Sequence, residues 1–198
     1  MPVPPRLTEE DYKIAAALLA CEVAAIKAVA EVESRGDGFL QDGRPRILFE
    51  GHIFHKYTNG QFAQSNPTLC YPKFTKQFYC TGTAEQRGQG ELKRFDTASA
   101  LDPSAAKKSC SIGKFQVMGF NFKICGFNSV DEFWDALSRD EGEQLKAFCK
   151  FVQGNRLDRH LRTHDWTSFA FRYNGESYKA NKYDTKMAES YSKYAQLG

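Results

Sequence analysis

Between residues 9 and 34 the apolar side chains recur at helical spacing, and this pattern constrains the fold more than any other feature. Ile26, Val29, Ala30 and Glu33 stand at i, i+3, i+4 and i+7, so they share one face of a helix expected over about 22 to 34. Glu31 projects about 160° away from Glu33, toward the solvent side. A helix over about 9 to 20 is expected before it, opened by Thr8 and Asp11 in a capping arrangement. The longest strongly apolar run, Ile14 to Cys21, is eight residues, whereas a membrane span needs roughly 20. The pattern therefore predicts helices packed on a core, not helices inserted in a bilayer.

Past the second helix, which Gly36 and Gly38 should stop, the pattern changes. Asp42-Gly43 is a hairpin turn signal between Phe39-Leu40 and Ile47-Leu48-Phe49, so a small antiparallel sheet is expected within 36 to 60. Asn59-Gly60, Asn66-Pro67, Tyr71-Pro72 and Thr81-Gly82 predict irregular loops over 58 to 84. Helices should follow over about 85 to 100, from Asp102-Pro103, after the Ser129/Glu132 capping box, and over about 141 to 153, 156 to 162, 165 to 173 and 182 to 196. At roughly 150 residues per domain, 198 residues suit a single domain spanning 1–198, with its core over about 8 to 196. The expected class is α+β, predominantly α-helical. Hydrophobic and charged fractions of 41% and 26% exclude a disordered chain or a coiled-coil rod. The 16 Phe and 9 Tyr suffice for a packed interior and an aromatic-lined cleft.

A net charge of +3 is too small for a dedicated nucleic-acid binder and only mildly favours an anionic polymer. Six cysteines without a C-x-x-C spacing are read as free, mostly buried thiols. The start, Met1-Pro2-Val3-Pro4-Pro5, lacks the charged and apolar regions of a secretory leader. The expected product is a soluble monomer made in the cytosol, so any action outside requires another agent to release it.

Three segments carry chemistry. Glu33, at the end of an apolar stripe, would lose solvation, and a carboxyl kept protonated that way serves as a general acid. Ser111 and Gly113 allow close backbone approach, with Gln116 and Met118 facing whatever lies there. Tyr173-Asn174-Gly175 ends a helix in a polar turn. Taken singly, each is equally well explained by an ion pair, packing or a turn.

Their order is more specific. Glu-Ser at a helix end, then Ser-x-Gly-x-x-Gln, then Tyr-Asn-Gly resembles the framework of goose-type lysozymes and soluble lytic transglycosylases. The finer resemblance is to the N-acetylmuramidase family of phage endolysins and prophage regions. It rests on Ala28–Ser34, Asp42–His52 and Ser111–Gly119, and runs over roughly residues 12 to 195. Ile112 and Lys114 depart from the bulky aromatic and apolar residues usual there, and Gly51 from a charged residue before His52.

The resemblance implies a lysozyme-like fold and cleavage of the β-1,4 bond between N-acetylmuramic acid and N-acetylglucosamine in peptidoglycan. Carried over by position, Glu33 would protonate the glycosidic oxygen, and Tyr173 would hydrogen-bond near that carboxyl and orient it. Ser111, Gln116 and Asn174 would line the sugar cleft. Glu50 is the preferred second carboxylate, placed where the expected sheet faces the cleft, against an ion pair with His52, Lys56 or an arginine. Asp42 in the turn is the other candidate. No cofactor is implied. The partners would be peptidoglycan glycan strands, with a holin releasing the enzyme from the host cytoplasm to the periplasm and cell wall at lysis. No part of the chain is left over for a separate wall-binding domain.

The competing readings are a lytic transglycosylase giving 1,6-anhydro products, a chitinase-like enzyme, and a silent glycan-binding or virion-assembly module. Metal binding finds little support, because His160/His164 lack the glutamate of H-E-x-x-H and no third carboxylate or thiol pairs with them or with His52/His55. Gly82, Gly88 and Gly90 lack the Gly-Lys-Ser/Thr ending of a phosphate loop, and no cysteine has the setting of a nucleophile.

Overall fold

The computed structural model describes residues 4–33 and 37–197. Ser34 of the motif and Gly36, the expected helix stop, lie outside the described residues. The paired N-terminal helices form as the pattern requires. α1 (Glu9–Leu19) opens on a reciprocal cap, in which the Asp11 N–H donates to Thr8 Oγ1 and the Thr8 N–H donates to Asp11 at 2.8 Å. Ala20 closes it in the left-handed region at φ 51°. In α2 (Val23–Glu33) the stripe is buried at Ile26, Val29 and Ala30, while Glu31 is exposed and paired with Lys193 at 3.2 Å.

The sheet differs from expectation. The Asp42-Gly43 turn forms, with Gly43 at φ 84°, but among the described residues its arms meet only at the isolated Phe39–Pro45 bridge. Instead β1 (Ile47–Phe49) pairs antiparallel with β2 (Cys110–Ile112), which pairs with β3 (Val117–Met118). Ile47 faces Ile112 and Phe49 faces Cys110, so this strand joins residues some sixty positions apart. Strands of two and three residues are too short to show a period in sequence. Residues expected to continue the sheet form α3 (Gly51–Tyr57).

The remaining helices follow their caps. α4 (Ala84–Leu101) starts on a Thr83/Gln86 capping box, α5 (Pro103–Lys108) on Asp102 with proline in its first turn, and α6 (Val130–Leu137) on Ser129. α7 (Glu141–Gly154) and α9 (Trp166–Asn174) start on Asp140 and Asp165, with the short α8 (Asp158–Arg162) between them. α10 (Tyr183–Ala195) returns along α2 and α9.

The result is a predominantly helical α+β fold. Its core is built on Phe49, Phe54, Phe115, Phe133, Phe148 and Phe169, all fully buried, and Phe115 stacks on Phe148 at 4.7 Å. This core fixes the sheet against α7. The six cysteines are free thiols, four of them buried, and burial pushes Cys125 and Cys149 up to about 12.

At Gly119, just after β3, an added Cβ would land on the Lys107 carbonyl of α5, a backbone atom that cannot step aside. Gly119→Ala is expected to cost about 2 kcal/mol, as overpacking does. For a chain of this size that lowers the melting midpoint by roughly 5 °C. Thermal unfolding followed by circular dichroism checks it, and an unchanged midpoint would show that the strand–helix junction yields.

Candidate active site

Glu33 is the last residue of α2, half-buried where the helix meets the sheet. It lines a cavity of about 350 Å³ together with Ser111, Gln116, Tyr173 and Asn174. Three segments far apart in sequence supply these side chains: α2, the β2–β3 hairpin and the end of α9. Five of the six expected site residues therefore meet in one place. Leu48, Phe115, Val117 and Phe151 give the cavity apolar walls, and Asn121 and Tyr183 add polar groups. Phe151, Asn121 and Tyr183 belong to no sequence motif and went unrecognised for that reason.

Partners fix the expected polar side chains. Asn174 Nδ2 donates to Glu33 Oε2 at 3.1 Å, so the amide at the end of α9 holds the carboxylate. The Tyr173 hydroxyl donates to the Phe115 carbonyl at 2.8 Å. Its ring packs against Phe148, Phe151 and Phe169. Burial, and then the charge of Glu33, hold its ionisation well above the ordinary phenol range, so it stays protonated. Tyr173 thus lies close to Glu33 and ties α9 to the β2–β3 turn, while the observed bond to the carboxylate comes from Asn174.

Gln116 sits in the left-handed region at φ 49°, stabilised by its own amide donating to the Gly113 carbonyl at 2.8 Å. Ser111 Oγ donates to Gln116 Oε1 at 2.8 Å. Gly113 is required by geometry: at φ 76° its backbone lies against Gln144, whose Oε1 accepts from the Lys114 N–H at 2.7 Å. The Ser-x-Gly-x-x-Gln spacing encodes this tight hairpin and its inward-facing amide.

Glu50 does not line this cavity. It stands at the N-cap of α3, where the Tyr79 hydroxyl donates to its Oε1 at 2.6 Å and His52 Nδ1 lies 3.3 Å from its Oε2. The contact with His52 is the structural alternative recognised from sequence. Asp42 is also held away, accepting from the Arg44 N–H at 3.1 Å and from Gln89 Nε2 at 3.0 Å. The Gln89 and Arg44 hydrogen bonds keep its carboxyl below the usual aspartate range. Among the histidines, His160 Nδ1 meets Asp165 at 3.1 Å and His164 stacks on Trp166.

Two buried carboxylates support the walls and escaped sequence reasoning. Glu141, the first residue of α7, accepts from the Gly38 N–H at 2.7 Å and faces Lys114 at 3.4 Å. Glu91 of α4 accepts from the Phe49 and Cys80 N–H groups and pairs with Arg94 at 2.8 Å. Both stand in helical stretches where a glutamate reads as a solvated charge. No helix of the described residues is long and apolar enough to cross a membrane.

The chain is similar over 98% of its length to a Burkholderia AP3 phage endolysin of known crystal structure. The TM-score is 0.88, the identity 37%, and the match covers 72% of the endolysin chain. No curated protein matches the sequence. The family model for N-acetylmuramidase matches residues 22–195, a span that holds Glu33, the hairpin and the Tyr-Asn-Gly turn. The chain belongs to the N-acetylmuramidase family and is a peptidoglycan-cleaving enzyme.

Proposed function

We propose that this enzyme cleaves the β-1,4 bond between N-acetylmuramic acid and N-acetylglucosamine, with Glu33 as general acid. The observation that carries this reading is that Glu33 is the one carboxylate among the described residues lining its cavity, surrounded by hydrogen-bonding groups suited to a sugar. Glu33 would give its proton to the glycosidic oxygen as the bond to the anomeric carbon breaks and positive charge develops on the ring. Asn174 fixes the carboxylate, and Tyr173 anchors the α9 turn that carries Asn174. Ser111 and Gln116 would orient the sugar through the faces they do not use on each other. Glu50, held by Tyr79 and His52, takes the role of shaping the neighbouring wall in this proposal. The enzyme would serve phage lysis, stored in the host cytoplasm as a monomer and passed by a holin to the cell wall.

The same observation favours a second reading. With a single carboxylate in the cavity, the substrate's own acetamido group is the nearest candidate to stabilise the anomeric carbon, as in lytic transglycosylases. The two outcomes differ by one water. Mass spectrometry of muropeptides released from purified peptidoglycan should show reducing-end muramic acid, and 1,6-anhydro-muramic ends alone would establish the transglycosylase instead. Bound glycan with no released product would leave only the silent binding module.

A further inference from the structure

A second cavity of about 310 Å³ adjoins that of Glu33, and Leu48 and Gln116 line both. It lies between the start of α4, the segment around Tyr79, β1 and the β2–β3 turn. Its rim is cationic: Arg46, Lys76, Arg87 and Lys114 all contribute. The two acidic groups there are already matched, Asp37 by Arg6 at 2.8 Å and Glu91 by Arg94 at 2.8 Å. Lys114 faces Glu141 at 3.4 Å.

Arg46, Lys76 and Arg87 have no carboxylate within ion-pair distance among the described residues. The Arg46 guanidinium is held by backbone carbonyls, Nε donating to Asp37 at 3.1 Å and Nη1 to Ala84 at 3.0 Å. Only two of its five N–H donors are used this way. Arg87 Nη1 donates to the Gly82 carbonyl at 2.6 Å. Carbonyl partners orient these groups without cancelling their charge. The outcome is a preorganised anion site beside the reacting bond.

The chemistry of a glycan strand names the anion. Sugar rings are neutral, and charge enters at muramic acid, whose lactyl ether carries a peptide bearing several carboxylates. That branch leaves the same ring whose anomeric carbon would sit beside Glu33. We propose that the cavity rimmed by Arg46, Lys76 and Arg87 receives the carboxylates of the peptide stem on this muramoyl residue. The inference rests on the muramidase reading above and adds a requirement for the stem. It also gives the departure at Lys114 from the family pattern a role, since this residue lines the same space.

The test compares intact peptidoglycan, glycan stripped of its stems by an amidase, and chitin oligomers. Amidase cleavage frees the lactyl carboxylate, so stripped glycan still carries one anion at muramic acid and separates it from those of the stem. The wild-type enzyme should prefer stem-bearing over stripped glycan by about tenfold in kcat/KM. In the Lys76→Gln/Arg87→Gln variant, which alters two exposed side chains, that preference should fall close to one. An unchanged preference ratio in the variant overturns the proposal. So does equal wild-type activity on the first two substrates, which would show that the stem carboxylates add nothing at the cavity. Failure of the wild type to release product from any substrate would overturn the muramidase reading instead. The stem site is then judged by calorimetric binding of a disaccharide-peptide against the stem-free disaccharide, where equal affinity refutes it.

Discussion

Glu33→Gln should lower the clearing of purified peptidoglycan on the order of 10³-fold, within the range general acids contribute. The substitution keeps the shape and the polar head of the side chain and removes only the proton to be donated. An amide oxygen at the same place still accepts from Asn174 Nδ2, now 3.1 Å from Glu33 Oε2. The apolar stripe that holds α2 is untouched, since Ile26, Val29 and Ala30 carry the burial. The melting midpoint should therefore stay within a degree or two of the wild type. Turbidity clearing and reducing-end release measure the first quantity, and circular dichroism the second. A correctly folded variant that retains most of its activity would remove Glu33 from the chemistry. Because Glu50 and Asp42 are both committed to other partners, neither stands ready to replace it.

The same residues show what a sequence reveals of such a site. Glu33 was legible because helical spacing ties it to three buried neighbours, a relation internal to eleven residues of helix. Gln116 and Ser111 were legible because their motif is itself a hairpin whose bonds all close locally. Glu50 shows where local reasoning ends. Alternation along a strand places it on the face of Leu48, which does line the cavity. The strand stops at Phe49, however, and Glu50 takes the N-cap position of α3, its carboxylate turned to Tyr79. Where that strand would pair was equally hidden, because its partner Cys110–Ile112 lies beyond a long irregular segment and three helices. Helix starts are local, so the caps at Thr8 and Ser129 and the proline at Asp102-Pro103 announce them, while strand pairing depends on tertiary packing.

Glu91→Ala should be the most damaging single change away from the Glu33 cavity. Glu91 is 3% exposed and stands at the centre of a polar knot under the sheet. Its Oε2 accepts from the Phe49 N–H at 3.2 Å and from Arg94 Nη1 at 2.8 Å. Its Oε1 accepts from the Cys80 N–H at 2.9 Å. Arg94 in turn donates to the Phe49 and Thr68 carbonyls at 3.3 Å and lies 5.2 Å above the Phe49 ring. Truncation would leave a largely buried guanidinium without its counter-charge and two backbone N–H groups without acceptors. Breaking such a pair costs about 3–5 kcal/mol, a large part of the roughly 5–15 kcal/mol that holds a domain together. The melting midpoint should fall by about 10 °C. By contrast, Arg6→Ala, which breaks the exposed pair with Asp37, should cost less than about 1 kcal/mol. Adding Arg94→Met to Glu91→Ala should recover part of the loss, because the uncompensated charge goes with it. Cys80, anchored through its N–H, supplies a local readout, since release of its segment should speed labelling of the half-buried thiol well below the melting range. A Glu91→Ala protein that melts like wild type, with Cys80 equally protected, would show that water enters the knot and takes over the bonds of the carboxylate.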